Sequence, residues 1–194
     1  MFEGQSAGFY IDVGAHHPFR FSNTCYFYRR GWRGLNIDAN PSAIDEFRKY
    51  RPSDLNLCLG IAEKPGRLTF YRFNESALDT FDPTLAEERS AFPGYHLIDR
   101  LEVTVRRLDE VLAEHLSYQQ RIDFLSVDVE GLDLQVLKSN DWSRFRPRVL
   151  LVEARNIDID KLSAEPACAF ARSVGYRPVA KTVNTIVYAE SAAA

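Results

Sequence analysis

Two acidic residues at the ends of short apolar runs are the positions in this chain best suited to chemistry. Phe9-Tyr-Ile-Asp-Val-Gly-Ala-His-His-Pro18 carries Asp12, and Leu35-Asn-Ile-Asp-Ala-Asn-Pro41 carries Asp38. Each run is β-prone and stops on its acid. The first continues into a glycine turn, the second into Asn40-Pro41, which reads as a helix start. In an open parallel sheet a strand-end glycine lets the backbone approach a ligand, and an acid on the next strand can bind both ribose hydroxyls. Alone, Asp12-Val-Gly-Ala15 fits an ordinary turn. Its weight comes from Asp38, which follows within the roughly 30 residues of a strand-turn-helix-strand unit. The spacing predicts two carboxylates side by side at one sheet edge, around a nucleotide cofactor.

A second constellation lies in Asp123-Phe-Leu-Ser-Val-Asp-Val-Glu-Gly-Leu-Asp-Leu-Gln-Val-Leu137. A buried strand runs out to Asp128, and Glu130 and Gly131 open a helix. Asp128 falls at the carboxyl end of its strand, where open α/β sheets bind ligands. Asp128 and Glu130 are therefore candidate site residues. Asp133 has a simpler role, favouring the helix N-terminus through its dipole.

The elements that must position these residues alternate between strand-like and helix-like, which predicts an α/β fold with a mostly parallel sheet. Strands are expected at Gly8–Val13, Gly34–Asp38, Leu55–Gly60, Ile122–Asp128 and Val149–Glu153, apolar on both faces as a doubly covered sheet requires. Leu68–Arg72 and Glu102–Arg106 alternate apolar and polar residues and read as edge or antiparallel strands. Tyr176–Lys181 and Thr185–Ala189 form a final hairpin. Helices are expected over Pro41–Tyr50, with Asn40 as N-cap and Pro41 at the first position, and over Leu108–Leu116, Gly131–Ser139 and Ser163–Val174. The segment 74–100 breaks this rhythm, with only a short helical piece around Leu85–Ala91. It reads as an insertion or lid, or as a solvated excursion. Ser191–Ala194 reads as a frayed tail.

Composition excludes several classes. The 194 residues fit one domain, 1–194, with 45% apolar and 26% charged residues, the balance of a soluble globular protein. A net charge of −3 gives no basic footprint for nucleic acid. Arg29, Arg30, Arg33, Arg48 and Arg51 are scattered and read as solvated surface. Cys25, Cys58 and Cys168 are odd in number and widely spaced, which argues against a disulfide framework or structural zinc and fits a reducing cytoplasm. The first residues lack a signal peptide's basic and apolar regions. No apolar run approaches the roughly 20 residues of a membrane span, so no membrane partner is expected.

Taken in order, Asp12-Val-Gly-Ala15, Asp38 with Asn40-Pro41, Asp128-Val-Glu-Gly131 with Val136-Leu137, and the strand-ending Glu153 resemble the FkbM family of S-adenosylmethionine-dependent methyltransferases. The resemblance runs from about Phe9 to Glu153. It implies the Rossmann-like class I methyltransferase fold, a mostly parallel seven-stranded sheet with an antiparallel C-terminal hairpin. It also implies O-methylation of a sugar, glycan or natural-product hydroxyl. Carried onto this chain, Asp12, Gly14 and Ala15 match the first cofactor motif, and Asp38 with Ala39 the ribose-binding end of the second strand. Gly60 and Ile61 would lie near the adenine, and Asp128 near the methionine moiety and reacting centre. Three departures stand out. His16-His17-Pro18 replaces Asn-x-Gly, Asp38 replaces the commoner glutamate, and Ser126 replaces a lysine.

Ser22 could cap the first helix, and Asn23 or Thr24 could hold the cofactor's carboxylate at the following amides; plain capping explains the same residues. Methyl transfer from a sulfonium needs alignment and removal of the acceptor proton. Candidate bases are His16, His17 and His96, with Asp128 as a carboxylate alternative. Asp128 and Glu153 would end neighbouring strands and suit magnesium, although Glu153 bound to Arg155 or a backbone amide is the simpler expectation. The expected partner is a small-molecule or glycan acceptor. The aromatic run Phe19, Phe21, Tyr26, Phe27, Tyr28 and Trp32 should be mostly core, a minority lining the pocket or a homodimer contact. A nicotinamide-dependent oxidoreductase is disfavoured because G-x-G-x-x-G is absent. A cofactor-binding module without turnover is the non-enzymatic alternative.

Overall fold

The alternation of β-prone and amphipathic runs folds into the layers that their order dictates. The computed structural model describes residues 1–154, 160 and 165–191. From the N-terminus come β1 (Phe9–Val13), α1 (Cys25–Arg29), β2 (Arg33–Asp38), α2 (Pro41–Tyr50), β3 (Leu55–Cys58) and β4 (Gly60–Ile61). Next are β5 (Gly66–Phe73), a 3-10 turn (Ser76–Leu78), α3 (Pro83–Ser90), β6 (Leu97–Arg106) and α4 (Leu108–His115). The chain continues through β7 (Phe124–Val127), α5 (Asp133–Lys138), β8 (Val149–Glu153), α6 (Pro166–Ser173), β9 (Tyr176–Lys181) and β10 (Thr185–Glu190).

The main sheet has seven strands in the order β3-β2-β1-β7-β8-β10-β9. Its first five strands are parallel, and β10 runs antiparallel between β8 and β9. This is the Rossmann-like methyltransferase arrangement, with the order reversing between β1 and β7. That reversal point is where such sheets open a ligand crevice. Ile11, Val13, Leu125, Val127, Leu150 and Val152 form one cluster with Leu108, Val111 and Leu112 of α4, Val136 and Leu137 of α5, and Ala167, Cys168 and Ala171 of α6. Tyr10, Trp32, Phe124 and Val149 form a second cluster, packed by Phe2 and Phe27. The cysteines are free thiols, and no described helix is long and apolar enough to cross a membrane.

Local sequence explains the elements that aim the site. The Asn40 side chain accepts the Ser42 amide and Pro41 opens α2, which buries Ala43, Ile44 and Phe47. The strand expected over Leu55–Gly60 is broken at Leu59. Its last residue leaves the main sheet and, as β4, pairs with β6 in a separate three-stranded sheet of order β4-β6-β5. β5 and β6 are antiparallel, as their alternation requires. The segment 74–100 holds the 3-10 turn, α3 and the start of β6.

Other expectations need correction. α1 starts at Cys25 with Thr24 as N-cap, and Ser22 instead accepts the Thr24 and Cys25 amides from just upstream. Arg51 is fully buried rather than solvated, because its guanidinium has polar partners deep in the fold. Phe19, Phe21 and Tyr26 are exposed, so only Trp32, Phe27 and Tyr28 of the aromatic run pack inward. α6 begins at Pro166; the expected start at Ser163, the Glu153–Arg155 contact and the tail residues 192–194 fall outside the described residues.

Candidate cofactor site

At the carboxyl ends of β1, β2, β7 and β8 the chain encloses a cavity of about 430 Å³. The register explains the convergence. Val13 pairs with both Ile37 and Val127, and Thr185 at the start of β10 pairs with Glu153 at the end of β8. Asp12, Gly14, Ala15, Asn23, Asp38, Ala39, Gly60, Ile61 and Asp128 all line it. So do His16, Glu130 and Glu153. Residues read from separate motifs thus share one wall.

Gly14 shows why the strand end must be glycine. Its φ is +79°, and a Cβ there would stand 1.8 Å from the Asp128 carbonyl oxygen. Only a residue without a side chain lets the β1 turn pass so close to the end of β7. Its amide donates to the Ile37 carbonyl at 2.9 Å. Asp38 in turn gathers the surrounding backbone, accepting from His16 at 2.8 Å and Asn40 at 2.7 Å. Burial pushes the Asp38 carboxyl up to about 6, the two amides pulling it back and Asp12 adding repulsion.

Asp12 lies deeper. It accepts the Thr24 hydroxyl at 2.8 Å and bonds to Ser126. Burial raises its pKa, with the Thr24 bond and the Arg51 charge opposing the rise. Arg51 donates to Thr24 Oγ1 at 2.7 Å, to Ser22 Oγ at 2.8 Å and to the Pro18 carbonyl. Thr24, expected at the cofactor carboxylate, is fully buried and does not line the cavity. Its hydroxyl is used to connect Asp12 with Arg51. Asn23 does line the cavity, donating to Ser126 at 3.1 Å.

The histidines separate. His17 Nδ1 accepts the Phe19 and Arg20 amides, each at 3.0 Å, which makes it the cap of a turn outside the cavity lining. His96 is exposed just before β6 and also lies outside the lining; its amide donates to the Asn74 side chain. His16 alone of the three lines the cavity. Its φ is +56°, and burial and Arg20 lower its pKa, so the neutral ring is favoured at pH 7.

The irregular segment supplies wall residues that local sequence patterns do not single out: Ser76, Ala77, Asp79 and Phe81. Asp79 is buried, accepts the Asn40 side-chain amide at 2.9 Å and the Phe73 amide at 2.8 Å, and is pushed by burial up to about 7. The only hint was its place after Leu78 in a polar stretch. The same segment grips the Asp128-Val-Glu-Gly131 turn. Thr80 donates to the Glu130 carbonyl at 2.7 Å, and buried Arg89 of α3 pairs with the Glu130 carboxylate. Glu130 itself has φ +55°. Asp133 accepts the Val129 amide and is pushed up to about 7 by burial and then by Asp128. Asp128, Glu130 and Glu153 bring carboxylate oxygens within 4.8 Å of one another.

Compared with protein families, residues 12–178 match the methyltransferase FkbM domain. The chain belongs to the FkbM methyltransferase family. It is an S-adenosylmethionine-dependent methyltransferase. No curated protein matches the chain. Similar solved structures include a precorrin-6y C5,15-methyltransferase from Geobacter metallireducens GS-15, with 13% identity, a TM-score of 0.45 and coverage of 97% of this chain and 84% of that one. Another is a TehB-like SAM-dependent methyltransferase from Corynebacterium glutamicum ATCC 13032 Kitasato, with 10% identity, a TM-score of 0.43 and coverage of 95% and 80%. In this methyltransferase Ser126 joins Asp12 to Asn23, and the charge of buried Arg51 acts on Asp12.

Proposed function

We propose that this methyltransferase transfers the methyl group to a hydroxyl oxygen of a sugar, glycan or natural product. The observation that carries the reading is the convergence of Asp128, Glu130 and Glu153 at the strand ends of the cofactor cavity. A hydroxyl is a weak nucleophile until its proton leaves, and a carboxylate within hydrogen-bond reach can accept it. The enzyme otherwise needs only to hold donor sulfur, methyl carbon and acceptor oxygen in line. Asp38 would bind the ribose hydroxyls, Gly14 and Ala15 would pass close to the cofactor, and Gly60 and Ile61 would border the adenine. Asp128 is the assigned proton acceptor. Bound there, S-adenosylmethionine would supply an electrophilic methyl group on a sulfonium that leaves as a neutral thioether, while Asp128 would take the acceptor's proton.

Three carboxylate oxygens also form a donor set of the kind magnesium takes. Arg89 already pairs with Glu130, however, and a cation would have to compete with that buried contact. We therefore assign the cluster to proton transfer, and expect methyl transfer to survive EDTA. The test is to incubate the enzyme with S-adenosylmethionine and a panel of glycosides and hydroxylated natural products, then locate the new methyl by NMR. An O-methyl product supports the reading. Products methylated only on nitrogen, carbon or sulfur would contradict it.

A further inference from the structure

Among the described phenylalanines that line the cavity, Phe21 is left unused by the cofactor assignment. The adenine expected beside Gly60 and Ile61 already has Phe81 against Gly60, with Phe70 at a ring-centroid distance of 4.7 Å from Phe81. Phe21 lines the cavity through the β1–α1 loop instead. Its φ is +57°, a left-handed conformation that bulky side chains rarely adopt. Its residue surface is 79% exposed, so burial does not offset the cost of that backbone. Strain retained at an exposed cavity residue points to use.

The fold also goes to some length to hold the ring there. Buried Arg51 fixes the loop on both sides of Phe21 through the Pro18 carbonyl and the Ser22 and Thr24 hydroxyls. Arg20 stands 5.2 Å from the Phe21 ring centroid, and Glu75 holds Arg20 in place at 2.7 Å. The His16 ring lies 6.3 Å away, tilted. A braced aromatic at a cavity mouth can take the flat apolar face of another ring. We propose that Phe21 is the platform for the methyl acceptor, a ring with an apolar face and a hydroxyl on its edge. Pyranosides and phenols share that chemistry. The inference rests on the O-methyl reading above, and deepens it by naming the residue that selects the acceptor.

The test uses full-length protein saturated with S-adenosylhomocysteine, with methyl β-D-glucopyranoside and catechol as probes in saturation-transfer NMR. Wild type, Phe21→Gly and Phe21→Trp are compared, with melting temperature and S-adenosylhomocysteine affinity measured for each. Glycine adopts φ +57° without strain, so Phe21→Gly should melt no lower than wild type. Ring-proton transfer from at least one probe should fall about five-fold in Phe21→Gly and persist in Phe21→Trp, while cofactor affinity stays within about two-fold. Which probe responds tells a sugar acceptor from a phenolic one. Transfer unchanged in Phe21→Gly, or absent from wild type with both probes, would overturn the platform. Equal loss of S-adenosylhomocysteine affinity in Phe21→Gly would also overturn it, because the ring would then belong to the cofactor. Probe binding lost in Phe21→Gly, without any O-methyl product from wild type, would support the platform and contradict O-transfer.

Discussion

Asp38 and Gly14 are the two positions where a single atom decides whether the site exists. Asp38 carries a proton up to about 6 because its surroundings are dry. Ribose hydroxyls donate best to the ionised carboxylate, so affinity for S-adenosylhomocysteine should fall as pH drops through 6. Calorimetry at several pH values should show this dependence in wild type and a flat, weak response in Asp38→Asn. At Gly14 an added methyl would press on the Asp128 carbonyl with φ at +79°. Gly14→Ala should cost about 3 kcal/mol, from overpacking plus left-handed strain; urea denaturation reads this directly. The carboxyls also set a pH trend for the protein without ligand. Asp38, Asp79 and Asp133 have folded pKa values raised to about 6, 7 and 7. A raised carboxyl contributes stability that is full below its unfolded pKa of about 3.9 and lost as pH climbs through its folded value. The His16 and His17 shifts act in the opposite sense, but two imidazoles are set against three carboxyls. The melting temperature should therefore fall between about pH 5 and pH 8.

Among the elements, α3 has the most consequence for its size. Arg89 ties it to Glu130 and, at 2.7 Å, to the Leu78 carbonyl, so the irregular segment and the end of β7 form one wall. Arg89→Ala removes the cation of a buried pair and should cost about 3 kcal/mol. It should also weaken S-adenosylhomocysteine binding, since Asp79 and Phe81 belong to the same segment. The strands that carry Asp12 and Asp38, and the one that ends just before Asp128, were legible because period, burial and a nearby acid all agree within a few residues. The contribution of Asp79 was not. It depends on a contact with Asn40, 39 positions away, and no local pattern encodes that pairing. Ser22 does cap the turn into α1, two residues before the helix proper. Arg51 differs for a related reason, since an arginine after a helix resembles surface until its tertiary partners are known.

For the whole molecule, the order β3-β2-β1-β7-β8-β10-β9 is what brings distant motifs to one edge. Parallel strands put their carboxyl ends together, and the antiparallel β10 returns so that its first residue joins them. Alternating elements and the final hairpin announced a mostly parallel sheet with an antiparallel end, whereas the second sheet formed by β4, β5 and β6 did not follow from periodicity. The break at Leu59 shifts two residues into it, and only long-range pairing makes that shift favourable. Everything at this edge turns on whether Asp38 holds the ribose of S-adenosylmethionine. Isothermal calorimetry of S-adenosylhomocysteine and NAD, against wild type and Asp38→Ala, tests it most directly. We predict one S-adenosylhomocysteine per chain, binding at least about ten-fold weaker in Asp38→Ala by loss of bonds to a charged acceptor, and no heat from NAD. Equal binding of both ligands, or S-adenosylhomocysteine binding that ignores Asp38, would contradict the account.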